Sequence, residues 1–96
     1  MAELLNDAQI DEALTRLTEW TRDGDALSRT ITSSTFPAAI ALVDAVAHEA
    51  ESMDHHPDID IRWRSVTYTL STHSSGGITS LDVVLAGAID RLAQGR

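Results

Sequence analysis

The sequence predicts an α+β fold, with elements in the order helix, strand, strand, helix, strand, strand, helix and a four-stranded antiparallel sheet whose helices pack on one face. Three observations predict it. Apolar residues recur at helical spacing in three separate segments, and two intervening stretches alternate with a period of two. The strands come in consecutive pairs, which hairpins join antiparallel, and amphipathic helices need the apolar side of such a sheet to cover.

Asn6 followed by Gln9 is a capping-box pattern, and Ile10, Ala13, Leu14 and Leu17 form an apolar stripe. A first helix is therefore expected over 7–18, ending before Trp20, whose indole caps the core. Between Trp20 and Ser33, the turn dipeptide Asp23-Gly24 precedes an alternating run through Leu27, Arg29, Ile31 and Ser33, which predicts a hairpin with one buried face. Ser34 or Thr35 can cap a second helix that carries Pro37 in its first turn and Phe36, Ala39, Ile40, Val43, Ala47 and Ala50 as its stripe, reaching about Met53. Pro57 turns His56 away from helical geometry, so the chain becomes extended. The apolar positions then run Ile59, Ile61, Trp63 and resume as Val66, Tyr68, Leu70. That change of parity requires a bulge or tight turn near Arg64-Ser65 if both sets face one core, with a short strand before it and a longer one after. Past the Gly76-Gly77 turn, Thr79 can cap a third helix carrying Leu81, Val84, Leu85, Ala88, Ile89 and Leu92.

A chain of 96 residues with 43% apolar content is read as one domain, 1–96. Cysteine and lysine are both absent, which excludes disulfides, thiolate metal sites, thiol nucleophiles, Schiff-base chemistry and a phosphate-loop lysine. A net charge of −8 repels nucleic-acid phosphates and anionic membranes, so neither is expected as a direct partner. The N-terminal residues show no basic start followed by an apolar run, and a cytoplasmic location is expected. A sheet covered on one side has a second face to close, and self-association into a homodimer or homotetramer is the expected solution.

Chemistry concentrates in the histidines. His55 and His56 follow the second helix inside Glu51-Ser-Met-Asp-His-His-Pro-Asp, and His73 is expected to end the longest strand, beside a turn. Imidazole, with an unperturbed pKa of roughly 6.5, both donates and accepts protons near neutrality, which suits general acid–base work. Glu51, Asp54 and Asp58 lie beside the pair, at the negative end of a helix dipole. Neighbouring side chains on an extended chain point apart, so His55 and His56 should play different roles. If the strand after Pro57 pairs with the strand ending at His73, all three imidazoles approach one end of the sheet. Plainer readings exist for each position. The His-His pair can be a solvated helix end, Glu51 solvated helix surface, Asp82 a capping carboxylate, His48 a surface residue, and Trp63 and Tyr68 core or interface. A zinc site from the three histidines is disfavoured, because adjacent histidines rarely share an ion and no HExxH spacing occurs.

The full spacing is more specific than any one residue: Glu51, three residues, His55-His56-Pro57, five residues, Trp63, nine residues, His73, eight residues, Asp82. This pattern resembles the signature of the pterin-4-alpha-carbinolamine dehydratases. Leu14 to Trp20 is similar to that family's first helix, Phe36 to Glu51 to its second, and Thr72-His73-Ser-Ser-Gly-Gly-Ile-Thr-Ser-Leu-Asp82 to its Thr-His run. Ser33 and Leu42 stand where aromatic residues are frequent, which implies lighter packing around the second helix. The resemblance implies dehydration of 4a-hydroxytetrahydropterin to quinonoid dihydropterin, with pterin as substrate and no metal or other cofactor. It implies His55 and His73 as the acid–base pair and His56 mainly in binding. Glu51 and Asp82 would then orient imidazoles or the pterin's polar edge, with Pro57 and Trp63 also at the substrate. The alternative is a non-catalytic dimerisation, scaffolding or assembly-factor module with a protein partner, a role that members of this fold also take.

Overall fold

The structure, a computed structural model, describes residues 2–95. Its elements are α1 (Asp7–Leu14), β1 (Thr21–Asp23), β2 (Ala26–Thr32), α2 (Phe36–Met53), β3 (Asp58–Arg62), β4 (Ser65–Leu70), a short 3-10 turn (His73–Ser75) and α3 (Ser80–Gln94). The sheet is antiparallel throughout with strand order β1-β2-β4-β3, as the sequence predicts.

Parity decides which side chains the helices cover. In β4, Val66, Tyr68 and Leu70 are buried, and the register sets them beside Ile31, Arg29 and Leu27 of β2. These buried strand residues form one cluster with Leu42, Val46 and Ala50 of α2 and Leu85 and Ile89 of α3. Ser33 and Leu42, the small substitutes for aromatic residues, are both buried. Trp20 is buried as well, and its indole N–H donates to Asp90 at 2.8 Å, where Arg29 also pairs. The opposite sheet face carries hydroxyl and charged side chains. Thr30 and Thr67 hydroxyls meet at 2.7 Å, and those of Thr32 and Ser65 at 2.9 Å. No apolar stripe needs closing there, so that face gives no hydrophobic drive to self-association.

Three local expectations are corrected. The first helix closes at Leu14, not 18. The Thr15 hydroxyl donates to the Glu12 carbonyl at 2.6 Å while its own N–H is shared between Asp11 and Glu12, which tightens the last turn and ends the regular ladder. The longest strand is β2 with seven residues, whereas β4, with six, is central and stops at Leu70 before His73. The parity change is resolved by a two-residue turn, Trp63-Arg64, with Trp63 at φ 54°. Ile59 and Ile61 therefore share a face with Tyr68 and Val66, but Trp63 leaves the strand and does not join the core.

Of the two candidate caps for α2, Thr35 acts, its hydroxyl accepting from the Ala38 N–H at 3.1 Å. Leu85 is fully buried at the centre of α3 and its neighbour Val84 is exposed. Leu85→Ala is expected to lower the free energy of unfolding in urea by about 2–5 kcal/mol, and Val84→Ala to change it by less than about 0.5 kcal/mol. Equal losses at the two positions would contradict this placement of the core.

Candidate active site

Three chain segments meet at the end of the sheet where β3 begins and β4 ends. α2 stops because Asp54 adopts the left-handed conformation (φ 49°, ψ 43°), which an Asp tolerates, and its N–H closes on the Ala50 and Glu51 carbonyls. His55 follows directly, its own N–H bonded to the Ala50 carbonyl at 3.0 Å. Pro57 then leads the chain into β3 at Asp58.

His55 and Asp82 form the best-defined contact. His55 is 8% exposed and Asp82 is fully buried, with His55 Nε2 2.6 Å from Asp82 Oδ1. The second carboxyl oxygen accepts from the Thr72 hydroxyl at 2.9 Å and from the Thr79 N–H at 2.9 Å. Thr72 and Thr79 hydroxyls lie 2.7 Å apart; because the Thr72 proton points at Asp82, Thr79 is the donor between them. As a carboxylate, Asp82 only accepts, so His55 presents Nε2–H to it and keeps Nδ1 for other chemistry. Asp82 is at once the capping-box residue of α3 and a hydrogen-bond partner of His55. Thr72 is the residue before His73, so the same carboxylate ties the two histidine segments to one point.

The other two histidines are exposed. His56 Nε2 lies 2.7 Å from Glu51 Oε1, an open pair across the last turn of α2, with side-chain exposures of 57% and 80%. Adjacent imidazoles therefore face different surroundings, as the extended backbone requires. His73 begins the 3-10 turn and lines an open concavity of about 370 Å³ with Asp23, Asp25, Asp58, Thr69 and Ser71. His55 and His56 do not line that concavity, although Asp58, two residues after His56, does. Trp63 is not brought to this end. It sits in the β3–β4 turn, beyond the five residues of β3, roughly 16 Å away at about 3.3 Å per residue. The residue is 69% exposed, and the Arg64 guanidinium lies over its ring at 4.3 Å.

Sequence reasoning missed the hydroxyl of Thr72 as a link and missed Asp23, Asp25, Thr69 and Ser71 as concavity walls. The pairing of Asp58 with Thr69 and of Thr69 with Ser28 carries the second group, but that register is a tertiary fact. Among the described residues, no three His, Asp or Glu side chains converge as ligands for one ion, and no helix is long and apolar enough to cross a membrane.

A family model described as pterin 4 alpha carbinolamine dehydratase matches residues 3–92. A protein of Nocardia farcinica named provisionally as a pterin-4-alpha-carbinolamine dehydratase is 63% identical over 92 residues, covering 96% of this chain and 97% of its own. A Brucella melitensis crystal structure titled transcriptional coactivator/pterin dehydratase superposes with a TM-score of 0.90 at 32% identity, covering 93% of this chain and 97% of that one. A pterin dehydratase-like protein identified as a RuBisCO assembly factor in the alpha-carboxysome shares the fold, with a TM-score of 0.63 at 23% identity over 77% of this chain and 86% of that one.

Asp82→Ala strands the Thr79 N–H, the Thr72 hydroxyl and the His55 ring, and one buried unsatisfied group costs about 1–3 kcal/mol. Chemical denaturation of Asp82→Ala is expected to show a loss at or above that range, whereas exposed Glu51→Gln should fall within about 0.5 kcal/mol of the parent. A silent Asp82→Ala would remove the network from the fold.

Proposed function

This chain belongs to the pterin 4 alpha carbinolamine dehydratase family, and we propose that it dehydrates a 4a-hydroxytetrahydropterin to the quinonoid dihydropterin in the cytoplasm, as a step in tetrahydropterin recycling. The reaction breaks the C4a–O bond, releases the hydroxyl as water, removes the N5 proton and forms the C4a=N5 double bond. One group must protonate the departing oxygen and another must take the N5 proton, so two imidazoles suffice and neither metal nor further cofactor is required.

The observation that supports this reading best is the buried His55–Asp82 pair, whose carboxylate also holds Thr72, the residue beside His73. A carboxylate holding one ring nitrogen fixes the imidazole's orientation and leaves the other nitrogen free, which a proton-transfer residue needs. His55 and His73 are assigned as the acid–base pair. His56 and Glu51, solvent-facing and bonded to each other, are assigned to binding the pterin, with Pro57 setting the direction of His56. Asp82 is a positioning residue in this scheme, and Trp63 is left without a place at the substrate.

Stopped-flow measurement of carbinolamine dehydration, with and without the protein, tests the reading. Acceleration over the spontaneous rate is expected, and His73→Ala should lower kcat/KM about a hundredfold or more, the scale of a lost general acid or base. Asp82→Asn, which keeps the shape, should lower kcat while leaving KM close to the parent value. Dehydration at the spontaneous rate would refute the enzyme and favour a scaffolding role, as the names transcriptional coactivator and RuBisCO assembly factor suggest for the two solved relatives.

A further inference from the structure

We infer that Thr72 is a positioning residue for His55, acting through the Asp82 carboxyl; the step it serves rests on the dehydratase reading, whereas the contacts themselves do not. Thr72 is 5% exposed and is not a wall of the concavity, so its hydroxyl reaches no substrate there. Its backbone is already engaged. The Thr72 N–H donates to the Gly77 carbonyl at 2.8 Å, and the Thr72 carbonyl accepts from the Ser75 N–H at 3.0 Å and from the Gly76 N–H at 2.9 Å. A threonine that opens a turn ordinarily lays its hydroxyl on that turn's own N–H groups. Thr72, which precedes the 3-10 turn, makes no such bond and sends its hydroxyl inward to Asp82. Local structure gives this hydroxyl no task, and the buried carboxyl does.

The proton of that hydroxyl has one direction. The Thr79 hydroxyl oxygen accepts from the Leu81 N–H at 3.2 Å as the cap of α3, which leaves its single proton for the Thr72 oxygen 2.7 Å away. Thr72 therefore gives its own proton to Asp82 Oδ2 at 2.9 Å. Reversing the chain would take a donor from a buried carboxylate oxygen, which costs most where water cannot replace it. The last torsion of an aspartate is broad and roughly two-fold, so hydrogen bonds rather than a rotamer well set the plane of its carboxyl. Two donors on Oδ2, the Thr72 hydroxyl and the Thr79 N–H, set that plane, and with it the direction in which Oδ1 meets His55 Nε2 at 2.6 Å. Without the Thr72 hydroxyl, the Thr79 N–H still holds Oδ2 and the cap of α3 survives, while the carboxyl gains freedom to swing. Loss of the hydroxyl thus acts on the orientation of His55 more than on the fold.

Thr72→Val removes the hydroxyl at nearly constant shape, and Thr72→Ser retains it. In the dehydration assay Thr72→Val is expected to lower kcat about tenfold with KM within about twofold of the parent, the mark of lost orientation rather than lost binding, and Thr72→Ser to stay within about twofold of the parent in both. Long-range proton–nitrogen correlation of the histidine rings reads the same contact with no substrate present. The His55 Nε2 proton should exchange with solvent faster in Thr72→Val than in the parent, and at the parent's rate in Thr72→Ser. If Thr72→Val does not fold, Thr72→Ala, which sets no methyl against the carboxyl, is read in the same way. A folded variant without the hydroxyl that keeps the parent's kcat, or the parent's exchange at His55, would overturn the proposal. So would a Thr72→Ser as impaired as Thr72→Val, which would assign the effect to shape instead of the hydroxyl. Faster exchange at His55 in Thr72→Val, in a protein that leaves dehydration at its spontaneous rate, would uphold the positioning and refute the dehydratase reading.

Discussion

A single buried carboxylate connects the ends of this fold. Asp82 has no solvent exposure, and it accepts hydrogen bonds from α3's own cap, from the segment leaving β4 and from His55, the second residue beyond α2. Each donor belongs to a different element, so the carboxylate fixes where α3 begins, where the chain turns after β4 and which way His55 faces. A buried charge is tolerated only when its lone pairs are answered, and here both oxygens are. The local rule that places an acidic residue three positions after a threonine cap thereby acquires a long-range consequence.

The sheet supplies the remaining geometry. β3 starts and β4 ends at the same end of the sheet, so His56, Asp58 and His73 come from distant parts of the chain without any long loop. The surroundings then separate the histidines: one ring buried against a carboxylate, one bonded to Glu51 in solvent, one at the rim of a concavity. The open face of β3 carries alternating charges, Asp58, Asp60 and Arg62, and the first of these lines the concavity.

Much of this was legible in the residues. Period-two runs and cap residues located the three helices and four strands, though not the 3-10 turn, and the parity break at Arg64-Ser65 announced a tight connection between β3 and β4. Asp82 was legible as a cap, but its contacts with Thr72 and His55 were not, since the identity of Thr72 says nothing about where its hydroxyl points. The end of α1 was misjudged because Thr15 competes for the helix carbonyls, a choice invisible to apolar periodicity. Trp63 was placed at the substrate by resemblance alone. Spacing along the chain counts five residues from Pro57, and only the extended backbone of β3 converts that count into the length of the sheet.

The orientation of His55 by Asp82 is measured most directly by long-range proton–nitrogen correlation of the histidine side chains. The account predicts one tautomer for His55, with a slowly exchanging Nε2 proton shifted downfield by the carboxylate and absent from exposed His48. A His55 ring with averaged nitrogen shifts and solvent exchange as fast as that of His48 would contradict it.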